Sequence, residues 1–276
     1  MGLNFWRNYR GNIGALPLQR VNAMSITLQL NDCGLLDFIR RAGRFGSDRY
    51  AFVVTPNVDH IIRYYDDATF RDLYADAGFV LLDSRFMAGL LFVTRGLRLK
   101  TSPGSDVTRL LFEQVIQPDD NVVLIGGTEA DAQTLTNKYG LRGLKHHNPP
   151  MGFINDAEAV EACLKFVEAA SPFRYCLLAV GSPQQEILAQ ALLLRGKARG
   201  LALCIGASIS FLTGAEKRAP VWMQKAGIEW FYRLMQNPQR LAKRYLVRGP
   251  RIFALLPRIR IELRSPQVTQ SLAPPT

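Results

Sequence analysis

The sequence predicts an α/β fold, a mostly parallel sheet with helices on both faces, followed by a basic helical appendage. Three observations carry that reading. Short apolar runs with no polar alternation recur along the chain, each followed by a helix-length amphipathic stretch. Every run ends in small or polar residues. Positive charge gathers in the last quarter of the chain.

The runs justify the strands in order. Residues 51–54 lead into Thr55-Pro56-Asn57, and a helix is expected to start near Asn57. Residues 79–82 end at Asp83, and residues 122–125 end at Gly126-Gly127-Thr128. Residues 175–180 end at Gly181-Ser182-Pro183, where Ser182 or Pro183 opens a helix, and residues 201–205 end at Gly206-Ala207-Ser208. Continuous Val, Leu and Ile imply burial on both faces, hence parallel strands under helices. The alternation of strand and helix makes the arrangement doubly wound and Rossmann-like. Ligands bind such sheets beyond the carboxyl ends of the strands, where Thr55, Asn57, Asp83, Thr128, Ser182 and Ser208 all fall. Strand ends also need turn residues, which accounts for part of this pattern.

The composition is globular, with 48% hydrophobic and 21% charged residues, which excludes disorder, collagen and coiled coil. At 276 residues the chain buries a substantial core as one large domain or a domain with an appendage. Cys33, Cys163, Cys176 and Cys204 form no CxxC pair, and three histidines are too few for a His-based zinc site, so no metal is expected. Residues 1–24 read as neither secretory signal nor membrane anchor, and the chain reads as reduced and cytosolic. Residues 217–264 hold twelve Lys and Arg against two Glu, a net +10 of the chain's +11. The expected organisation is an α/β catalytic domain over residues 1–215, a basic appendage over 216–264 and a disordered tail over 265–276.

Individual motifs narrow the chemistry. Gly126 and Gly127 sit between a strand and a helix, where free N–H groups receive a phosphate, although a Gly-Gly turn is also an ordinary connection. Neither GxGxxG nor GxxxxGK[ST] occurs. Gln185 and Glu186 stand near the ligand edge of the sheet, in a run that is also readable as a capped helix start. Asp83 ends an apolar strand, where low dielectric raises a carboxylate's pKa and suits it to take a proton; it reads as well as an N-cap for the next helix. No Asp-x-Asp pair is present to hold a divalent metal on a diphosphate, so arginines and backbone N–H groups would neutralise one. Arg240, Lys243, Arg244, Arg248 and Arg251 fall at helical spacings that gather them on one face, with apolar residues between them. Nearly free of acids, that face suits an anionic membrane surface. Nucleic acid satisfies the same charge, but no recognition-helix or RNP-type pattern accompanies it.

From about Phe52 to Tyr245 the chain resembles the WecG/TagA/CpsF family of bacterial glycosyltransferases (glycosyltransferase family 26). Thr55-Pro56-Asn57 precedes Asp83 by the family's 28 residues, and Gly104-Ser105-Asp106 opens a helix as its Gly-x-Asp does. Gly181-Ser-Pro-Gln-Gln-Glu186 matches Gly-x-Pro-x-Gln-Glu. Arg218-Ala-Pro-x-Trp222 and Gly227-Ile-Glu-Trp-Phe-Tyr-Arg233 lead into Asn-Pro-x-Arg240 and Arg244-Tyr245. The departures are Ser84 for a glycine, Thr101 for an arginine, with Lys100 beside it as a substitute, Ser210 for an acid, and a tail extended past Arg244. They point to a divergent subgroup.

The resemblance implies an inverting, metal-independent hexosyltransferase, without cofactor, in surface or exopolysaccharide assembly. It would move a sugar from a UDP-sugar to a polyprenyl-diphosphate-linked sugar while peripheral on the inner face of the cytoplasmic membrane. Asp83 would be the general base, Thr55 and Asn57 would line the pocket, and Gln185 would contact a substrate. Lys100, Asp106, Gly126, Gly127 and Glu186 complete the expected binding set. Arg233, Arg240 and Arg244 would close over the site and offset the diphosphate. A homo-oligomer fits this picture and a nucleic-acid partner does not. Other readings are a nucleotide- or nucleic-acid-binding module and a membrane-docked scaffold without catalysis. Ending the chain before Pro238 is expected to leave the main body folded.

Overall fold

Strands apolar on both faces bury those faces only by lying side by side beneath helices on each side. The computed structural model describes residues 26–264 and shows that arrangement. The chain enters through β1 (Thr27–Asn31) and α1 (Leu35–Arg44), then β2 (Tyr50–Val54), α2 (Val58–Asp66) and α3 (Ala68–Ala75). The short β3 (Phe79–Val80) precedes α4 (Arg85–Arg95) and α5 (Gly104–Gln114). Next come β4 (Val122–Ile125), α6 (Glu129–Tyr139), β5 (Leu144–His147) and α7 (Ala157–Ala169). They are followed by β6 (Tyr175–Leu178), α8 (Gln184–Arg195), β7 (Gly200–Cys204) and α9 (Ser208–Thr213).

Six strands form one sheet in the order β3-β2-β7-β6-β4-β5, every neighbouring pair parallel. Successive residues along each strand feed two cores. Phe52, Val54, Val123, Ile125, Cys176 and Leu178 pack beneath α2, α3, α4, α7 and α8. Val53, Val122, Leu124, Tyr175, Leu177 and Leu203 pack beneath α1, α5, α6 and α9. Because the strands are parallel, Thr55, Asp83, Gly126, Gly181 and Gly206 emerge at one edge.

Residues 216–264 contain α10 (Val221–Lys225), α11 (Glu229–Gln236), α12 (Pro238–Ala242), α13 (Arg251–Leu255) and a final strand β8 (Arg260–Arg264). One sequence expectation needs correction here. Basic residues 240–251 do not share one helical face, since α12 stops at Ala242, Lys243–Arg248 winds as a π-helix, and Gly249-Pro250 breaks the register. The C-terminal segment is distinct and largely helical, and it is tied into the main body. Ile252 and Ile259 are buried in the first core, and β8 pairs in parallel with β1 as a second, two-stranded sheet. Asn31 Oδ1 accepts from Val80 N (2.6 Å) and Arg264 donates to Ala77 O (2.8 Å), fastening that sheet beside β3. A chain ending before Pro238 loses these contacts. No described helix is long and apolar enough to cross a membrane. The readings for residues 1–24 and 265–276 lie outside the described residues.

Candidate active site

Two strand ends, the start of α5 and the C-terminal segment build the site. Beyond β2, Asn57 caps α2, its Oδ1 accepting from Asp59 N (3.1 Å) and His60 N (3.3 Å). His60 Nδ1 accepts in return from Asn57 N (3.2 Å), which puts the ring proton of the neutral imidazole on Nε2. Burial, then the charges of Arg244 and Arg63, hold His60 well below the ordinary imidazole range and so keep it neutral.

Beyond β3 the chain continues beside this loop, with Asp83 N donating to Pro56 O (3.0 Å). The N-cap of α4 is Ser84, whose side chain accepts from Met87 N (3.1 Å); Asp83 does not cap that helix. Its carboxylate turns to α5 instead, where Oδ1 accepts from Gly104 N (2.7 Å), and among the described residues no hydrogen bond engages Oδ2. A Cβ on Gly104 would lie 2.8 Å from Thr55 Oγ1 and 3.7 Å from Asp83 Oδ1, so glycine lets these three groups converge. Burial raises the Asp83 pKa above the ordinary carboxylate value. The Gly104 N–H opposes that rise, Glu229 reinforces it, and the positive charges of Arg233 and Arg244 oppose it. A half-buried carboxyl with one oxygen fixed and one open is built to accept a proton.

The C-terminal segment closes on this group. Arg244 donates to Asn57 Oδ1 (3.1 Å) and lies 3.8 Å from Asp59, which Arg63 also pairs (2.7 Å). Arg233 stacks over Phe211 at 5.1 Å. The corner at Gly227 rests on α4, where a Cβ would meet Phe86 N at 3.2 Å.

Other expected site residues have partners of their own. Both Asp106 oxygens are taken, by Arg218 (2.7 Å) and Arg85 (2.8 Å). Burial pushes this carboxyl up, but the hydrogen bonds and charges of Arg218 and Arg85 outweigh it and hold it low. Lys100 pairs with Asp32 at the surface (3.2 Å), and Arg240 with Glu216 (3.2 Å). Gln185 and Glu186 are buried: Gln185 Oε1 accepts from Gly206 N (2.8 Å) while its Nε2 donates to Glu186 Oε1 (2.9 Å). Burial raises the Glu186 pKa, with Gln185 and Ser182 opposing that rise. Gly126 and Gly127 turn the end of β4 at φ +89° and +73°. A Cβ at Gly126 would meet Ala179 O at 3.0 Å, and no hydrogen bond or ion pair joins this turn to the Asp83 group.

The structure therefore gathers Thr55, Asn57, Asp83, Arg233 and Arg244, and adds the Gly104 amide and Glu229. Gly104 and Glu229 stand inside sequence motifs that by themselves give them no role. The signal for Glu229 was its place as the last acid before a long basic stretch.

Fold and site together define an α/β protein with a carboxylate at the carboxyl edge of a parallel sheet, facing arginines from its own C-terminal segment. The model of the Glycosyl transferase WecG/TagA/CpsF family matches residues 23–266. The chain belongs to that family and is a glycosyltransferase.

Proposed function

We propose that the protein transfers a sugar from a UDP-sugar to a sugar carried on a polyprenyl diphosphate, with inversion and with Asp83 as general base. The Asp83 carboxylate takes the proton of the acceptor hydroxyl as that oxygen bonds to the anomeric carbon. The bond from that carbon to the diphosphate breaks, and its electron pair leaves with UDP. Arg233 and Arg244 offset the charge that develops on the departing diphosphate. Thr55 and Asn57 line the acceptor side. The strand order supports a Rossmann-like reading, with the site where ligands bind such sheets. The protein works on the inner face of the cytoplasmic membrane, where the lipid-linked acceptor lies.

The observation that carries this reading is the divided carboxylate of Asp83, one oxygen held by Gly104 N and the other without a hydrogen bond among the described residues, in the positive field of Arg233 and Arg244. The test is Asp83→Asn, assayed against a panel of UDP-sugars with a short-chain lipid diphosphate acceptor. Turnover should fall by about 10²–10⁴-fold, the usual worth of a general base, with the melting temperature nearly unchanged. Full turnover in a folded Asp83→Asn protein removes Asp83 as base.

A further inference from the structure

Helix α4 carries no charged residue between Arg85 and Arg95. Met87 and Leu91 point into the core, yet Phe92 is 46% and Val93 82% exposed. Gly89 is open beside them and the exposed Thr94 spends its hydroxyl on Leu90 O (2.7 Å), so the outward side of α4 is mostly apolar too. A helix apolar on all sides is normally covered, and this one is not covered by the described chain.

We infer that this outer face of α4 beds into the headgroup–acyl boundary of an anionic lipid leaflet. The inference rests on the membrane-bound reading above and adds a second contact element to it, continuous with the basic C-terminal segment. Charge complementarity selects the occupant. No Asp or Glu occurs between Asp83 and Asp106, or between Glu229 and Glu262. These two stretches form one surface: Phe86 meets Phe253 edge-on at 6.4 Å, and Arg95 donates to the carbonyls of Leu256 and Ile259. Phe253 is itself exposed, as are Leu246 and Val247 just before it in the chain. Among the described residues, Arg98, Lys243, Arg248 and Arg258 have no carboxylate partner, and Arg98 lies over the Phe92 ring at 5.4 Å. Apolar side chains rimmed by unpaired cations match a leaflet of anionic headgroups over acyl chains. A second copy would present the same cationic rim and be repelled. The consequence for the site is geometric: α4 starts two residues after Asp83, so seating it brings that carboxyl to the level of a lipid-borne diphosphate.

The experiment places an environment-sensitive NBD label at Val93→Cys in the full chain. The four native cysteines are buried and leave the new thiol as the reactive one. With phosphatidylcholine vesicles containing about 30% phosphatidylglycerol, the emission should shift to the blue and rise severalfold, and salt should weaken the effect. Pure phosphatidylcholine should give little change, as should a label at Asn137→Cys on α6. A label at Phe92→Cys guards against disturbance at the first position. Co-sedimentation with no change at either α4 label overturns the proposal. So does a blue shift that rises with protein concentration in the absence of vesicles, which makes the face an interface between copies. Wild-type transfer to a short-chain acceptor is measured in parallel. Insertion without transfer counts against the enzymatic reading alone, and transfer without insertion counts against the α4 face alone.

Discussion

Asp106→Asn separates two roles for a residue that its motif marks for substrate and its geometry marks as a tie. The carboxylate accepts from Arg218 at 2.7 Å and from Arg85 at 2.8 Å while itself nearly buried. An asparagine keeps one accepting oxygen, turns an amide towards the other guanidinium, and leaves two half-buried cations without that counter-charge. Hydrogen bonds to charged groups are worth about 1.5–3 kcal/mol each, and breaking a buried ion pair costs about 3–5 kcal/mol. Arg85 is 30% and Arg218 19% exposed, so screening lowers the expected loss to about 2–4 kcal/mol. In a chain of this size that is roughly 5–12 °C in melting temperature. The pH dependence has a definite sign. The folded pKa lies below the unfolded one, so the stabilisation is present above the unfolded carboxylate value and is lost as pH falls through the folded value. Calorimetry of both proteins from pH 2 to pH 8 should show a gap at neutral pH that closes in acid. Equal melting temperatures at pH 7, or a gap indifferent to pH, refute the tie; a raised KM with unaltered stability restores the binding role.

Four further perturbations test the neighbouring parts. Arg244→Ala removes a charge that pulls the Asp83 pKa down, and Glu229→Gln removes one that pushes it up, so the acid limb of kcat/KM should move to higher pH in the first and to lower pH in the second; limbs that stay together refute the assigned field. Arg244→Ala should also cut turnover by about 10²-fold while costing little stability, since Asn57 keeps both of its helix-capping bonds. Glu186 has a folded pKa raised by burial, so wild-type stability is fullest below about pH 4 and declines as pH rises through the folded value; Glu186→Gln should hold its stability better at pH 8, as urea titration would show. Ending the chain before Pro238 removes Ile252, Ile259 and β8, and burial of two isoleucines alone is worth about 3–6 kcal/mol, so limited proteolysis should find a loosened body; a truncated protein as stable as the full chain sinks that account.

Strands buried on both faces were legible because nothing but a covered sheet accommodates residues 122–125 or 201–204. β5 was not legible: Leu-Lys-His-His at the sheet edge has one apolar residue and pairs on one side only. β8 reads as a charged tail, because Arg-Ile-Glu-Leu-Arg becomes a strand only once β1 is beside it. Helical spacing across residues 240–251 misled because periodicity assumes an unbroken helix, and the π turn before Gly249-Pro250 sends Arg240, Arg244 and Arg251 to Glu216, Asn57 and Asp66. At the site, Asp83-Ser84 offers two side chains able to cap α4, and sequence cannot divide the roles between them. The structure gives the cap to Ser84 and frees the aspartate. Asp106 sits in a motif whose chemistry was visible, but its partner Arg218 lies 112 residues away and no local pattern connects them.

That distant connection explains why one chain carries both the carboxylate and the cations around it. A buried carboxyl alone rises in pKa and keeps its proton, which unfits it as a base at neutral pH. The Gly104 amide and the charges of Arg233 and Arg244 draw it back towards ionisation, with Glu229 set against them. Three of these four influences belong to the C-terminal segment, which the tie of Arg218 to Asp106 and the seat of Gly227 on Phe86 help hold over the starts of α4 and α5. Any movement of that segment changes the arginine field at Asp83 and the access to its free oxygen together. On the proposed reading, a surface that seats the segment and α4 at once would set the proton affinity of Asp83 in the same step that brings a lipid-borne acceptor to it.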